Sequence, residues 1–269
     1  MKARTQTQPT PTELRQKVLE DFQALRIPLL PEQLDAVLSR AESEGLSHLE
    51  FLRALISAQA NGRRERSIAR RIREAGFVEP KTLADFDWQF NAAAIDRVQI
   101  ESLAGGEFIG RRQNLVWVGQ SGVGKSHLIQ AIGLSACMLG YRVRYETGAS
   151  ILQTLTAALA DQTLPRRLRS YGKFDLMILD EFGFDRVERL ESPHAVGLLY
   201  KLINVRSGRS TALVTNIDFP RWGEYLGDPP LAMAFLDRVV DGAIILKIQG
   251  KSYRAHRAEQ ASADKRSRK

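Results

Sequence analysis

GQSGVGKS, Gly119 to Ser126, is the stretch on which the fold turns. It fits G-x-x-x-x-G-K-[ST], and with glycine near 7% of residues a chance match in a chain this long is on the order of one per cent. Glycines let the backbone close around phosphate with several N–H groups turned inward, and the N-terminus of the following helix adds its positive end. Gly119, Gln120, Ser121, Gly122, Val123, Gly124, Lys125 and Ser126 are therefore candidate nucleotide contacts. In such a loop the lysine, Lys125, reaches the β and γ phosphates of ATP and the hydroxyl of Ser126 ligates Mg²⁺.

The flanks agree. NLVWV supplies a strand before the loop and KSHLIQAIGLSACMLG a helix after it. Downstream, LMILDE (Leu176 to Glu181) is an apolar strand ending in two carboxylates. Asp180 then lies at the carboxyl edge of the sheet, where ligands bind in such folds, and is a second candidate for Mg²⁺, through water. Glu181 is placed to orient or deprotonate an attacking water. VTN (Val214 to Asn216) ends another apolar run, so Asn216 is a candidate for presenting its amide to the γ-phosphate or to that water. QNLVWV, YRVRYET, FDLMILD, STALVTN and AIILKI alternate with helical stretches. That alternation predicts an α/β fold, a parallel sheet between helical layers.

Before residue 105 there is no strand signal. TPTE (Thr10 to Glu13) and SHLE (Ser47 to Glu50) are capping boxes, and PEQLDAVLSRAESEG stops at Gly45. The pattern gives three helices, the last running to about Ala75, after a polar start expected to fray. The expected organisation is a helical N-terminal domain over 1–78, a linker over 79–105 that straps aromatics onto a neighbouring surface, and an ATPase domain over 106–250. A loose basic tail over 251–269 completes it, with seven lysines and arginines against two acids.

The chain has 269 residues, a formal net charge of +8 and one cysteine, Cys137. A single cysteine allows no internal disulfide and no cysteine cluster for a metal, which suits a reducing cytoplasm. No apolar run approaches the roughly 20 residues that span a bilayer, so a membrane is not an expected partner. The positive charge leans toward a polyanion. In GRRERSIARRIRE, Arg63, Arg66, Arg70 and Arg73 fall within about 80° on one helical face, with Ile68 and Ile72 opposite. Arginine forks onto phosphate oxygens, which makes this face a candidate DNA surface; a solvated face paired with Glu65 and Glu74 is the alternative. Arg166, Arg167 and Arg169, with Lys173, form a second basic group that could track the same backbone. Phosphate contacts of this kind position a protein without reading sequence.

One arginine stands apart. In AFLDRVVDG (Ala234 to Gly242), Arg238 projects within about 20° of Leu231 on a helix and near Phe235, so its guanidinium must find a partner or leave the fold.

The motifs together resemble AAA+ ATPases. PKTLADFDW, GQSGVGKSHL, DLMILDEFG, VTNIDFPRWGEYLGDPPLAMAFLDRVVDGA and GKSYR are similar, in order and spacing, to the IstB-like family, ATPase helpers of bacterial insertion sequences and relatives of DnaC helicase loaders and of DnaA. The resemblance runs from roughly residue 12 to 257. It implies an ATPase that forms an ATP-dependent homo-oligomer on double-stranded DNA and assists a cognate transposase. A helicase loader and a nucleotide-gated architectural DNA binder are the rival readings. It also implies that Arg238 is a finger reaching the γ-phosphate held by a neighbouring subunit, against the plain alternative of a structural arginine. LPRRLRSYGK resembles the extra helix that opens the DnaA and DnaC assemblies into a spiral. Two departures stand out: too few residues follow the last strand for a helical lid, leaving Arg254 as a weak substitute for a lid arginine, and Val240–Asp241 stands where related members usually have two basic or histidine residues.

Overall fold

The computed structural model describes residues 9–79, 81–183 and 194–267. The chain divides into two compact units, the first ending at Ala69 and the second running from Arg70.

The first unit holds α1 (Pro11–Ala24), α2 (Pro31–Glu44) and most of α3 (His48–Ala75). Both expected capping boxes are present. Thr10 N–H donates to Glu13 Oε2 at 2.7 Å while Glu13 N–H donates to Thr10 Oγ1 at 3.3 Å, and Ser47 and Glu50 exchange the same pair of bonds. Gly45 ends α2 in the left-handed conformation, φ 63°, which a side chain resists and glycine does not. Arg15 forks onto Asp35 with bonds of 2.7 and 2.6 Å, tying α1 to α2.

In the second unit, α4 (Arg97–Ala104) and the short α5 (Glu107–Gly110) precede β1 (Leu115–Gly119). Then come α6 (Lys125–Leu139), β2 (Val143–Thr147), α7 (Gly148–Ala160), α8 (Leu164–Tyr171) and β3 (Leu176–Phe182). Beyond residue 193 follow α9 (Ala195–Val205), β4 (Ser210–Thr215), α10 (Trp222–Leu226), α11 (Pro229–Val240), β5 (Ile244–Ile248) and α12 (Tyr253–Ser267). The five strands form one parallel sheet in the order β2-β3-β4-β1-β5.

Strand alternation sorts the core into two layers. Leu115 and Trp117 of β1 face Leu128, Ile129 and Ile132 of α6 and Ile100 of α4. Val116 and Val118 face the other way, toward Ile151 and Leu155 of α7, Leu199 of α9 and Phe235 of α11. Both faces being covered is why the strands read as continuous apolar runs.

Three boundaries differ from the sequence expectation. The first unit ends within α3 rather than at residue 78, because Ile72, Ala75 and Phe77 already pack into the core beneath the sheet. The expected linker does lay Phe86 and Trp88, with Leu83, on that same core, but its end is the helix α4. The expected loose tail is the helix α12. Ser252 Oγ accepts the Ala255 N–H at 3.3 Å, and Phe90 lies 5.1 Å from the Tyr253 ring and 4.9 Å from His256, which fixes the first turn despite its positive charge. The fraying expected at the N-terminus falls, through residue 8, outside the described residues.

Candidate nucleotide site

The phosphate loop joins β1 to α6, and its glycines are set by what touches them. A Cβ at Gly119 would lie 2.3 Å from Ile248 O, the carbonyl of its β5 partner. Gly122 and Gly124 have φ of 82° and 101°, and side chains there would meet Ser252 Oγ and the Phe86 ring at 2.2 and 2.8 Å. C-terminal and N-terminal flanking segments therefore both close on the loop. Tyr253 N–H donates to Gly122 O at 2.9 Å, and Asn91 exchanges hydrogen bonds with the Lys251 backbone at 3.0 and 3.1 Å.

Lys125 is 4% exposed, and its ammonium donates to Gly119 O and Gln120 O at 2.7 and 2.8 Å. Burial lowers its pKa to about 8; the charge of Asp180 opposes the shift and Arg254 adds to it. Next along the helix, Ser126 Oγ donates to Asp180 Oδ1 at 3.1 Å. The two expected cation-side residues are thus brought together.

Asp180 is buried, and Glu181 beside it is exposed with φ 54°, left-handed for a residue with a side chain. The pairing of β3 with β4 slips between Leu179 and Phe182, so the two acids sit on a bulge. A bulge re-aims side chains, and here Glu181 lines the cavity in front of the loop while Asp180 stays beneath it. The Glu181 N–H closes the turn onto Asp180 Oδ1 at 2.7 Å.

That cavity encloses ≈ 570 Å³. Its floor is Ser121 to His127; Phe86, Phe90 and Tyr253 give it aromatic walls, and Arg254 and Arg257 add positive charge from α12. Neither the aromatic walls nor Arg257 was anticipated, because they come from segments that read as linker and tail. The advance signals were the density of aromatics in EPKTLADFDWQFN and the motif GKSYR, which holds Tyr253. His127 anchors this wall: its Nε2 lies 2.8 Å from Thr82 O and its ring 5.2 Å from Phe86. Cys137 is simply buried, its thiol pushed up to about 11 by desolvation.

Of the expected nucleotide-site residues, Gly119, Gln120, Asp180, Asn216 and Arg238 do not line this cavity; the first three are hydrogen-bonded to Lys125 or Ser126, which do. Asn216 is exposed just after β4, against Gly183, and does not line the cavity. Arg238 belongs to the opposite edge of the sheet. Asn114, which precedes β1, donates to the carbonyl of Val239 at 3.0 Å, so the end of α11 sits at the amino end of the strand whose carboxyl end carries the loop. Five residues of strand, about 16 Å, separate the two edges. The guanidinium has left the apolar side of α11: it is exposed, with its carbon 5.5 Å from the centre of the Tyr200 ring.

All seven arginines named as DNA contacts are exposed: Arg63 and Arg66 in the first unit, Arg70 and Arg73 in the second, and Arg166, Arg167 and Arg169 on α8. On α8 the arginines alternate with buried Leu164, Leu168 and Tyr171. Among the described residues no helix is long and apolar enough to cross a membrane, and no cluster of three or more His, Cys, Asp or Glu side chains could hold a metal ion.

Known proteins resemble this chain over most of its length. The family described as IstB-like ATP binding protein matches residues 20–261. The chain is 34% identical over 238 residues to the insertion sequence IS21 putative ATP-binding protein of Pseudomonas aeruginosa, covering 88% of each chain. It is 32% identical to the IS232 putative ATP-binding protein of Bacillus thuringiensis subsp. berliner, covering 89% of this chain and 94% of the relative. Among solved structures, DnaI superposes with a TM-score of 0.51 at 20% identity, over 62% of this chain and 90% of its own. A putative primosome component from Streptococcus pyogenes superposes at 0.50 and 18%, over 69% and 97%. These two likenesses concern the fold alone. On the sequence match, the phosphate loop and the sheet that carries it, the chain belongs to the IstB-like ATP-binding protein family.

Proposed function

We propose that this protein is an Mg²⁺-dependent ATPase that assembles with copies of itself on double-stranded DNA and assists the transposase of an insertion sequence. The observation that carries the reading is the separation of Arg238 from its own phosphate loop. An exposed arginine at the far edge of the sheet can serve a γ-phosphate only in another copy, and head-to-tail stacking of one edge on the other brings that about. The names of the relatives, insertion-sequence ATP-binding proteins, support transposition over helicase loading.

The chain's own groups have complementary tasks. Loop N–H groups and the Lys125 ammonium hold phosphate oxygens. Ser126 and Asp180 offer hard oxygen donors, and with no all-protein cage among the described residues they suit Mg²⁺, which takes few protein ligands beside substrate phosphates. Bound there, Mg²⁺ supplies positive charge against the triphosphate. Glu181, aimed into the cavity, accepts a proton from water as the water oxygen bonds to the γ-phosphorus; the bond to the ADP oxygen breaks, and ADP and phosphate leave. Asn216, at the end of β4, orients the water or the γ-phosphate. Arg238 of the neighbouring copy stabilises the charge on the transferred group, an effect worth about 10³ to 10⁵ in rate where such fingers have been measured. The exposed arginines of α3 and α8 hold DNA phosphates, and hydrolysis dismantles the assembly.

The test is DNA-stimulated ATPase activity of wild type, Lys125→Ala, Arg238→Ala and a mixture of the two variants. Each variant alone should be nearly inactive, and the mixture should regain activity where an intact loop meets an intact arginine. Full activity of folded Arg238→Ala alone would make the arginine structural and sink the shared-site mechanism.

A further inference from the structure

Three donors surround the buried carboxylate of Asp180. Oδ1 accepts the Ser126 hydroxyl and the Glu181 N–H, and Oδ2 accepts the phenol of Tyr145 at 2.9 Å. Tyr145 comes from the neighbouring strand β2, where Thr147 pairs with Asp180, so its side chain reaches two positions along β3. It is 6% exposed, and Phe77 packs 5.9 Å from its ring. Burial, then the Asp180 charge, push its ionisation far above the ordinary tyrosine value, so it remains a neutral O–H donor.

Lys125 is near enough to sense the charge of Asp180, yet its ammonium donates to two loop carbonyls. Two arrangements compete for a buried carboxylate in that position. One is a direct ion pair with Lys125, which would neutralise both groups and withdraw one from the phosphate and the other from the cation. In the other, a neutral donor occupies Oδ2 and the carboxylate stays turned to Ser126. A buried carboxylate oxygen left without a donor would favour the first, because unpaired buried charge is costly.

We propose that Tyr145 is a positioning residue whose phenol holds Asp180 with Oδ1 toward Ser126, setting the hydroxyl–carboxylate pair for a divalent cation and keeping Asp180 off Lys125. The proposal rests on Ser126 and Asp180 being the cation side of the nucleotide site. Nothing in the phosphate-loop pattern requires a tyrosine on β2; the role follows from the contacts of this chain.

The test is Tyr145→Phe, which keeps the packed ring and removes the donor. Mg²⁺ is titrated into the full chain with a fluorescent ATP analogue at fixed concentration, alongside turnover. The half-saturating Mg²⁺ concentration should rise about tenfold, at the lower end of the 10- to 100-fold typical when the hydrogen-bond partner of a metal ligand is removed. A change below twofold overturns the proposal. Asp180→Asn, run in parallel, separates the role of Tyr145 from the cation site it serves. If Asp180→Asn shifts the Mg²⁺ dependence and Tyr145→Phe does not, only the role of Tyr145 falls. If neither shifts it, the assignment of the cation side falls too.

Discussion

Lys125 carries a charge into a place that water barely reaches, and two pH trends of opposite sign follow from it. In the free protein its pKa is lowered to about 8, chiefly by burial. A bound polyphosphate favours the ammonium and raises that pKa, so binding above about pH 8 takes up a proton. Nucleotide affinity should therefore fall as pH rises through about 8, by at most tenfold per unit. The stability of the unliganded fold runs the other way. Between about pH 8 and the ordinary lysine value the unfolded chain binds more protons, so this residue's contribution to stability rises with pH across that window. Calorimetric titration in two buffers of different ionisation enthalpy checks the uptake, and thermal unfolding checks the second trend; Lys125→Met should flatten both. The place of the loop, Asp180 and Glu181 at the carboxyl ends of β1 and β3 was legible in the sequence, because the motifs fix residue type and spacing so tightly. Tyr145 was not, since a tyrosine in YRVRYET reads only as a strand residue until β2 is known to lie beside β3.

At the scale of elements, the parallel sheet was legible because each strand is buried on both faces and reads as one apolar run. What fastens the helices to it was less so. Arg206, just past α9, is 1% exposed and donates to Tyr171 O at 2.7 Å, Phe174 O at 3.1 Å, Ser210 O at 2.5 Å and Thr211 Oγ1 at 3.1 Å. It thereby joins the end of α8, the approach to β3 and the start of β4. In the sequence it is one arginine in the turn-like stretch VRSGR. Arg206→Ala should destabilise the second unit by about 3 kcal/mol, since it strands buried carbonyls as well as emptying a volume. At about 2–4 °C per kcal/mol for a unit of this size, differential scanning calorimetry should record a fall of roughly 6–12 °C. Gly119→Ala acts at the junction of β1 and β5: with 2.3 Å to a backbone oxygen there is no flexible side chain to yield, so the β5 pairing must shift and nucleotide affinity should drop with it.

On the proposed reading, DNA binding by the second unit rests on exposed side chains outside its packed core. The arginines of α8 stand on a helix whose other face is anchored by Leu164, Leu168 and Tyr171, so they can be removed without opening the core. Replacing Arg166, Arg167 and Arg169 together with alanine should weaken binding about equally for unrelated duplexes. It should also flatten the salt dependence by about 0.9 in log–log slope for each phosphate no longer neutralised, measured by fluorescence anisotropy. A weakening confined to one DNA sequence would mean that these residues read bases. The position of Arg238 was the least legible feature at this scale, because periodicity assigns it a face of a helix but not an edge of the sheet. The clasp at the loop has its own corollary. Asn91 and Lys251 are 160 residues apart in the chain and are bonded to each other, and Tyr253 is bonded to Gly122. The two flanks therefore act as a single latch, and a disturbance of either should be felt by both. Nucleotide should slow amide hydrogen exchange at Lys251 and Tyr253 in step, and Asn91→Ala should release the pair together, making the chain's far end a reporter of what the phosphate loop holds.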